Sequence, residues 1–157
     1  TFEQEEIPTQ EYSNIVIAPN SKKSTYLCED IAEHQERTKE IRLIFEKLID
    51  GYFLKTKDTK GIEGYQNLYE YKHPNGIRIL YIADGNIITI CSLFMKDKQK
   101  STRIKNEFEE AIRRYSEVEQ YIQENFTNPD FHIEQAELVG EIFSLLDGIA
   151  LSKKVGE

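Results

Sequence analysis

The dipeptide Asp84-Gly85 joins two β-rich runs, Ile77 to Ala83 and Asn86 to Met95. A tight hairpin turn needs positive φ at both central residues, and Asp-Gly supplies that at little steric cost. A third run, Leu68 to Lys72, precedes them across His73-Pro74-Asn75-Gly76, which has the composition of a turn. Three consecutive antiparallel strands therefore organise the middle of the chain. Neither of the two longer strands alternates cleanly. Ile77, Ile79, Tyr81 and Ala83 fall on one face of theirs, and Arg78, Leu80 and Ile82 on the other. A sheet that is apolar on both sides needs at least partial cover on both.

The flanks supply that cover. Asn14 to Ala18 (NIVIA), stopped by Pro19, reads as a first strand. Ser24 or Thr25 can cap a following helix. Leu27, Ile31, His34, Thr38, Ile41, Phe45 and Leu48 then recur at steps of four and three, the stripe of one amphipathic helix, with Gly51 as its C-cap. Residues 52 to 67 read as a Lys- and Gly-rich connector. After the third strand, Ser101 or Thr102 opens a helix whose apolar stripe runs through Ile104, Phe108, Tyr115, Val118 and Ile122. A break at 125–129 separates it from a last helix, Phe131 to Leu151, whose apolar positions spread beyond one stripe. The fold class is α+β. The element order is β-α-β-β-β-α, an antiparallel-rich sheet packed by helices, plus one extra helix at the carboxy end.

The 157 residues suit one domain. The division is a loose acidic arm at 1–12, a core at 13–125 and the additional helix at 126–157. With 39% hydrophobic residues the chain should fold. No apolar run approaches the ~20 residues that span a bilayer, and no signal segment is visible, although a first residue of Thr1 is compatible with processing. Two cysteines are too few for a disulfide scaffold, and a reducing cytoplasm is the expected setting. Cys91, inside a strand, reads as a small buried hydrophobe. The net charge is −8, yet the window from Lys60 to Lys105 holds eight cationic side chains against four carboxylates. That is a +4 island in a remainder of −12. It suits a short stretch of polyanion or an acidic protein partner.

Several local patterns converge on one family. Lys60-Gly61-Ile62-Glu63-Gly64 leads to Leu68-Tyr69-Glu70; Arg78-Ile79-Leu80-Tyr81 leads to Asp84-Gly85. Phe94-Met95-Lys96-Asp97-Lys98-Gln99-Lys100-Ser101 forms the strand-to-helix corner, and Ala111-Ile112-Arg113-Arg114 lies in the helix after it. Over roughly residues 58 to 115 this resembles the RelE/HigB superfamily of toxins from bacterial toxin–antitoxin modules, closest to its phage-derived HigB-like branch; over 14–50 the likeness is one of topology. The chain departs from the pattern at Lys72, where an arginine is usual, at Asp97, where a second lysine is usual, and in its acidic net charge.

The resemblance implies a small RelE-like fold and a metal-independent endoribonuclease that cuts messenger RNA, in many members on the ribosome. It also implies a cognate antitoxin as partner. In such chemistry the ribose 2′-hydroxyl attacks the adjacent phosphate, so a base, an acid and cations facing the phosphate are required. Arg78 is the expected phosphate clamp, because its planar fork suits two phosphate oxygens. Lys96, Lys98 and Lys100 are the expected electrostatic and proton-transfer group. Lys72 and His73 stand at the opposite lip, and Lys60 and Tyr69 complete the expected substrate contacts.

A plainer reading stands beside each role. The lysine trio can be a solvated corner, Arg78 a partner of Glu70 across the hairpin, His73 a turn residue and His34 a packed core residue. Tyr65, Tyr69, Tyr71 and Tyr81 can stack on bases, or simply follow the preference of aromatic residues for strands. His34, His73 and His132 show no metal-ligand spacing, so neither a metal nor another cofactor is expected. The alternative function is a catalytically inactive RelE-like binding module from a phage or mobile element. Its extra helix would then serve as an interface, with a homodimer through that helix as one form.

Overall fold

The computed structural model describes residues 13–50, 59–96 and 101–155. The acidic arm at 1–12, Gly51, Asp97, Lys98 and Lys100 lie outside the described residues. The described part is α+β, with a five-stranded, mostly antiparallel sheet and four α-helices. β1 is Ile15–Ile17, α1 Tyr26–Glu33, α2 Thr38–Ile49, β2 Thr59–Gly61 and β3 Leu68–Lys72. β4 is Ile77–Asp84, β5 Ile87–Met95, α3 Ser101–Asn125 and α4 Pro129–Val155. The strands lie in the order β1-β5-β4-β3-β2, with β1 parallel to β5 and every other pair antiparallel.

Both faces of the sheet are covered, as the missing alternation in β4 requires. Ile77, Ile79 and Tyr81 join Ile90, Leu93 and Met95 in a core beneath α1, α2 and α4. Leu80 and Ile82 point the other way and pack with Leu68, Cys91, Phe94 and Ala111 of α3. The register slips once between β4 and β5: Leu80 faces Ser92 but Tyr81 faces Ile90. A bulge of this kind changes which face the following side chains take. It allows Ile90 and Leu93, three apart, to share one core.

The stripe from Leu27 to Leu48 is two helices rather than one. Thr25 caps α1 as expected, its hydroxyl accepting from Cys28 N at 3.1 Å. At His34 the backbone leaves helical geometry (φ −130, ψ 46), and a 3-10 turn at Gln35–Arg37 leads into α2. The break re-aims the stripe, because α1 packs on β5 whereas α2 packs on α4. His34 therefore sits at a helix end, half-buried and 3.9 Å from Glu36, rather than inside the core. The expected connector also contains a strand: Thr59, Lys60 and Gly61 pair with Tyr71, Glu70 and Tyr69 of β3.

The last helix rounds the β1 edge of the sheet. Near its start Phe131 packs with Val118 and Ile122 of α3 and with Val16 and Ala18 of β1. Further on, Ile142 and Leu146 lie in the core on the opposite side, where Phe143 meets Phe45 edge-on at 5.0 Å. Between the two, the Gln135 amide donates to Ile17 O (3.1 Å) and accepts from Ile17 N (2.9 Å). The side chain takes the place of a neighbouring strand on the open edge of β1.

A second such substitution lies on β5 beyond the reach of β1. Asp30 of α1 accepts from Leu93 N at 2.8 Å, and Arg114 of α3 donates to Cys91 O at 3.1 Å. The two side chains bind each other at 2.8 and 3.0 Å and are nearly buried. The Arg114 guanidinium also lies over the Tyr26 ring, 4.7 Å from its centre.

Candidate functional site

Period-two geometry sorts the expected site residues before any distance is considered. In β3, Leu68, Glu70 and Lys72 face α3, while Tyr69 and Tyr71 face α2. Lys60 stands opposite Glu70 in the ladder, Lys72 opposite Arg78, and Arg78 opposite Phe94. Lys96 follows Phe94 by two residues. Lys60, Lys72, Arg78 and Lys96 consequently share one face of the sheet, the first three from β2, β3 and β4 and the last from the residue after β5. Lys60 and Lys96 are exposed, and the Lys72 side chain keeps 33% of its surface.

One carboxylate stands among these cations. Glu70 is buried, and its Oε1 lies 3.7 Å from Lys72 Nζ. Glu70 faces Leu80 across the hairpin, so its ion pair is with Lys72 of its own strand rather than with Arg78. Arg78 instead donates from one terminal nitrogen to His73 O (2.8 Å) and Ile77 O (3.2 Å). Its Nε is buried and has no hydrogen-bond partner among the described residues. The Lys60 amine beside Lys72 holds the Lys72 ammonium below the usual lysine range; burial and Lys96 act in the same direction, and Glu70 opposes them.

Two expected contacts lie elsewhere. Tyr69 is on the opposite face of the sheet, stacked on Tyr81 with ring centres 5.4 Å apart and planes 11° from parallel. It stands three residues before Lys72, an odd separation that a strand cannot bring to one side. His73 lines a crevice with Glu40, Leu43, Ile44 and Tyr71 on the α2 side, and its Nδ1 accepts from Asn75 N at 3.2 Å. It touches the cationic face through its carbonyl oxygen, which holds Arg78. Glu70, expected as a partner of Arg78, is instead the carboxylate beside Lys72. Its position two residues before Lys72, on a strand whose other face is aromatic, was the available signal.

The arrangement can bind an anion against several cations, and it favours the neutral form of one amine more than an isolated lysine does. Among the described residues no group of three His, Cys, Asp or Glu side chains is placed to hold a metal ion, and no helix is long and apolar enough to cross a membrane. No family model, curated protein or solved structure matches the chain.

Proposed function

We propose that this chain is a toxin-type endoribonuclease of the RelE/HigB kind, cutting messenger RNA without a metal and held in check by a cognate antitoxin. The observation that carries the reading is the row of Lys60, Lys72, Arg78 and Lys96 on one sheet face, with Lys72 depressed by its neighbours. In that reading the Arg78 guanidinium clamps the scissile phosphate. Neutral Lys72 takes the 2′-hydroxyl proton, and Lys60 and Lys96 offset the charge that builds on phosphorus. Lys98 and Lys100 extend the cationic corner on the strength of the family pattern alone. The acidic remainder of the chain opposes long-range approach of RNA, so affinity is weak and falls steeply with salt.

Expression in growing bacteria tests this. Wild-type chain arrests growth, and Arg78→Ala abolishes the arrest without changing the far-ultraviolet circular dichroism of the purified protein. Transcripts from arrested cells carry new internal ends. Unchanged growth with wild-type protein removes the proposal.

A second reading has one observation in its favour: two backbone carbonyls already engage the Arg78 guanidinium, as in a structural arginine. The chain is then a catalytically silent RelE-like module that binds an acidic partner on the same face. Growth without arrest, together with salt-sensitive capture of an acidic protein that Lys60→Glu abolishes, supports this second reading.

A further inference from the structure

The amine of Lys72 stands in surroundings that a merely anion-binding lysine does not need. It lies opposite Arg78 of β4 and diagonal to Lys60 of β2, with Lys96 just after β5 and the Glu70 carboxylate 3.7 Å away. Crowding by like charges disfavours the ammonium and leaves a larger fraction of neutral, nucleophilic amine. A third of the side chain remains open to solvent, so a small molecule can reach it. Lys60 and Lys96 on either side are exposed. A reactive amine, a proton carrier and two accessible cations thus meet on one face.

We infer that Lys72 captures small phosphorylated aldehydes as an imine, with Lys60 and Lys96 holding the phosphate. The inference stands apart from RNA cleavage, since it needs neither a ribose nor a scissile phosphate. The neutral Nζ attacks the carbonyl carbon, and the nitrogen's proton passes through the Glu70 carboxylate to the former carbonyl oxygen. The resulting carbinolamine expels its hydroxyl as water after a second proton arrives from solvent by the same carboxyl group. One carbon–nitrogen double bond forms and one carbonyl is lost. One water leaves, and no oxidant or reductant is needed. The phosphate supplies the selectivity, because the body of the chain is acidic and this face is where cations gather.

Pyridoxal 5′-phosphate is the probe. The full chain is incubated with it, the imines are fixed with borohydride, and the labelled peptides are located by mass spectrometry. Lys72 should carry several-fold more label than any other lysine, although Lys22, Lys23 and Lys39 are more exposed. Pyridoxal, which lacks the phosphate, should lose that preference. Lys96→Gln, a change at an exposed position, should lower labelling of Lys72 while leaving the circular dichroism and the labelling of distant lysines unchanged. Labelling that simply follows exposure overturns the inference. So does a Lys72 preference that is the same for pyridoxal and its phosphate, or one that Lys96→Gln leaves intact.

Discussion

Replacing Arg114 by Met should be the most damaging single change outside the aliphatic core. Arg114 and Asp30 are 12% and 10% exposed, and they satisfy the backbone of β5 on the side away from β4, past the end of β1. Arg114→Met removes both bonds to Asp30 and those to Cys91 O and Ser92 Oγ. It leaves a buried carboxylate whose remaining partner is Leu93 N–H. Breaking a buried pair in this way costs about 3–5 kcal/mol, a large share of the ~5–15 kcal/mol that holds a domain of this kind together. The informative comparison is the double variant Asp30→Leu/Arg114→Met. Exchanging a whole buried ion pair for apolar side chains is often neutral or stabilising. Here it should not be, because Leu93 N–H and Cys91 O both lose their partners, at ~1–3 kcal/mol each. The double variant should therefore stay at least ~2 kcal/mol below the parent, which moves a urea midpoint by about 1 M. Urea titrations of the four proteins in the cycle, followed by circular dichroism, read this directly. A double variant as stable as the parent would refute the idea that the pair substitutes for a strand.

Three further outcomes are expected. Glu107 is held above the usual carboxylate range, first by burial and then by Asp30, so ionising it costs the folded state once pH rises above the ordinary value of 4.5 through the raised one. Glu107→Gln should accordingly be more stable than the parent at pH 7, with the gain fading below pH 4.5 in urea titrations at both pH values. The Cys91 thiol is fully buried and pushed up to about 12, so a thiol-reactive dye at pH 8 should titrate one cysteine, Cys28, in native protein and both in urea; two fast thiols in native protein would contradict the packing. Truncation after Thr127 removes Phe131, Leu138, Ile142 and Leu146 from the core together and should lower stability by several kcal/mol in the same urea assay.

The three central strands were legible because turn chemistry marks both of their junctions and aromatic or aliphatic residues fill them, although the second turn is Gly85-Asn86, with positive φ at Gly85 alone, and Asp84 still pairs with Ile87. Thr25 was legible as a cap for the same local reason. What was hidden depends on partners far away in sequence. Nothing near His34 breaks a helix by propensity; the bend follows from α1 and α2 packing on different elements. Thr59–Gly61 is too short to show a period, and it is a strand because β3 offers an edge. Arg114 sits in an Ala-Ile-Arg-Arg run where either arginine could face solvent; Arg113 does, tied to Glu110 and Glu117 on its own helix. Of the candidate site residues, Lys60, Lys72, Arg78 and Lys96 share one sheet face. Strand parity, applied strictly, would have separated Tyr69 from them.

The Gln135 amide on Ile17 bridges 118 positions of sequence. During synthesis β1 leaves the ribosome well before the side chain that closes its edge is made. β1 also pairs in parallel with β5, a partner more than seventy residues downstream. Both contacts carry the loop-closure entropy of distant segments, so β1, made before its partners, should be among the last strands to be secured. Until then its backbone is a ready template for any other extended chain. Chaperone dependence in this protein should thus follow the time needed to complete α4, and slow translation across residues 129–155 should lengthen the period in which newly made chains aggregate.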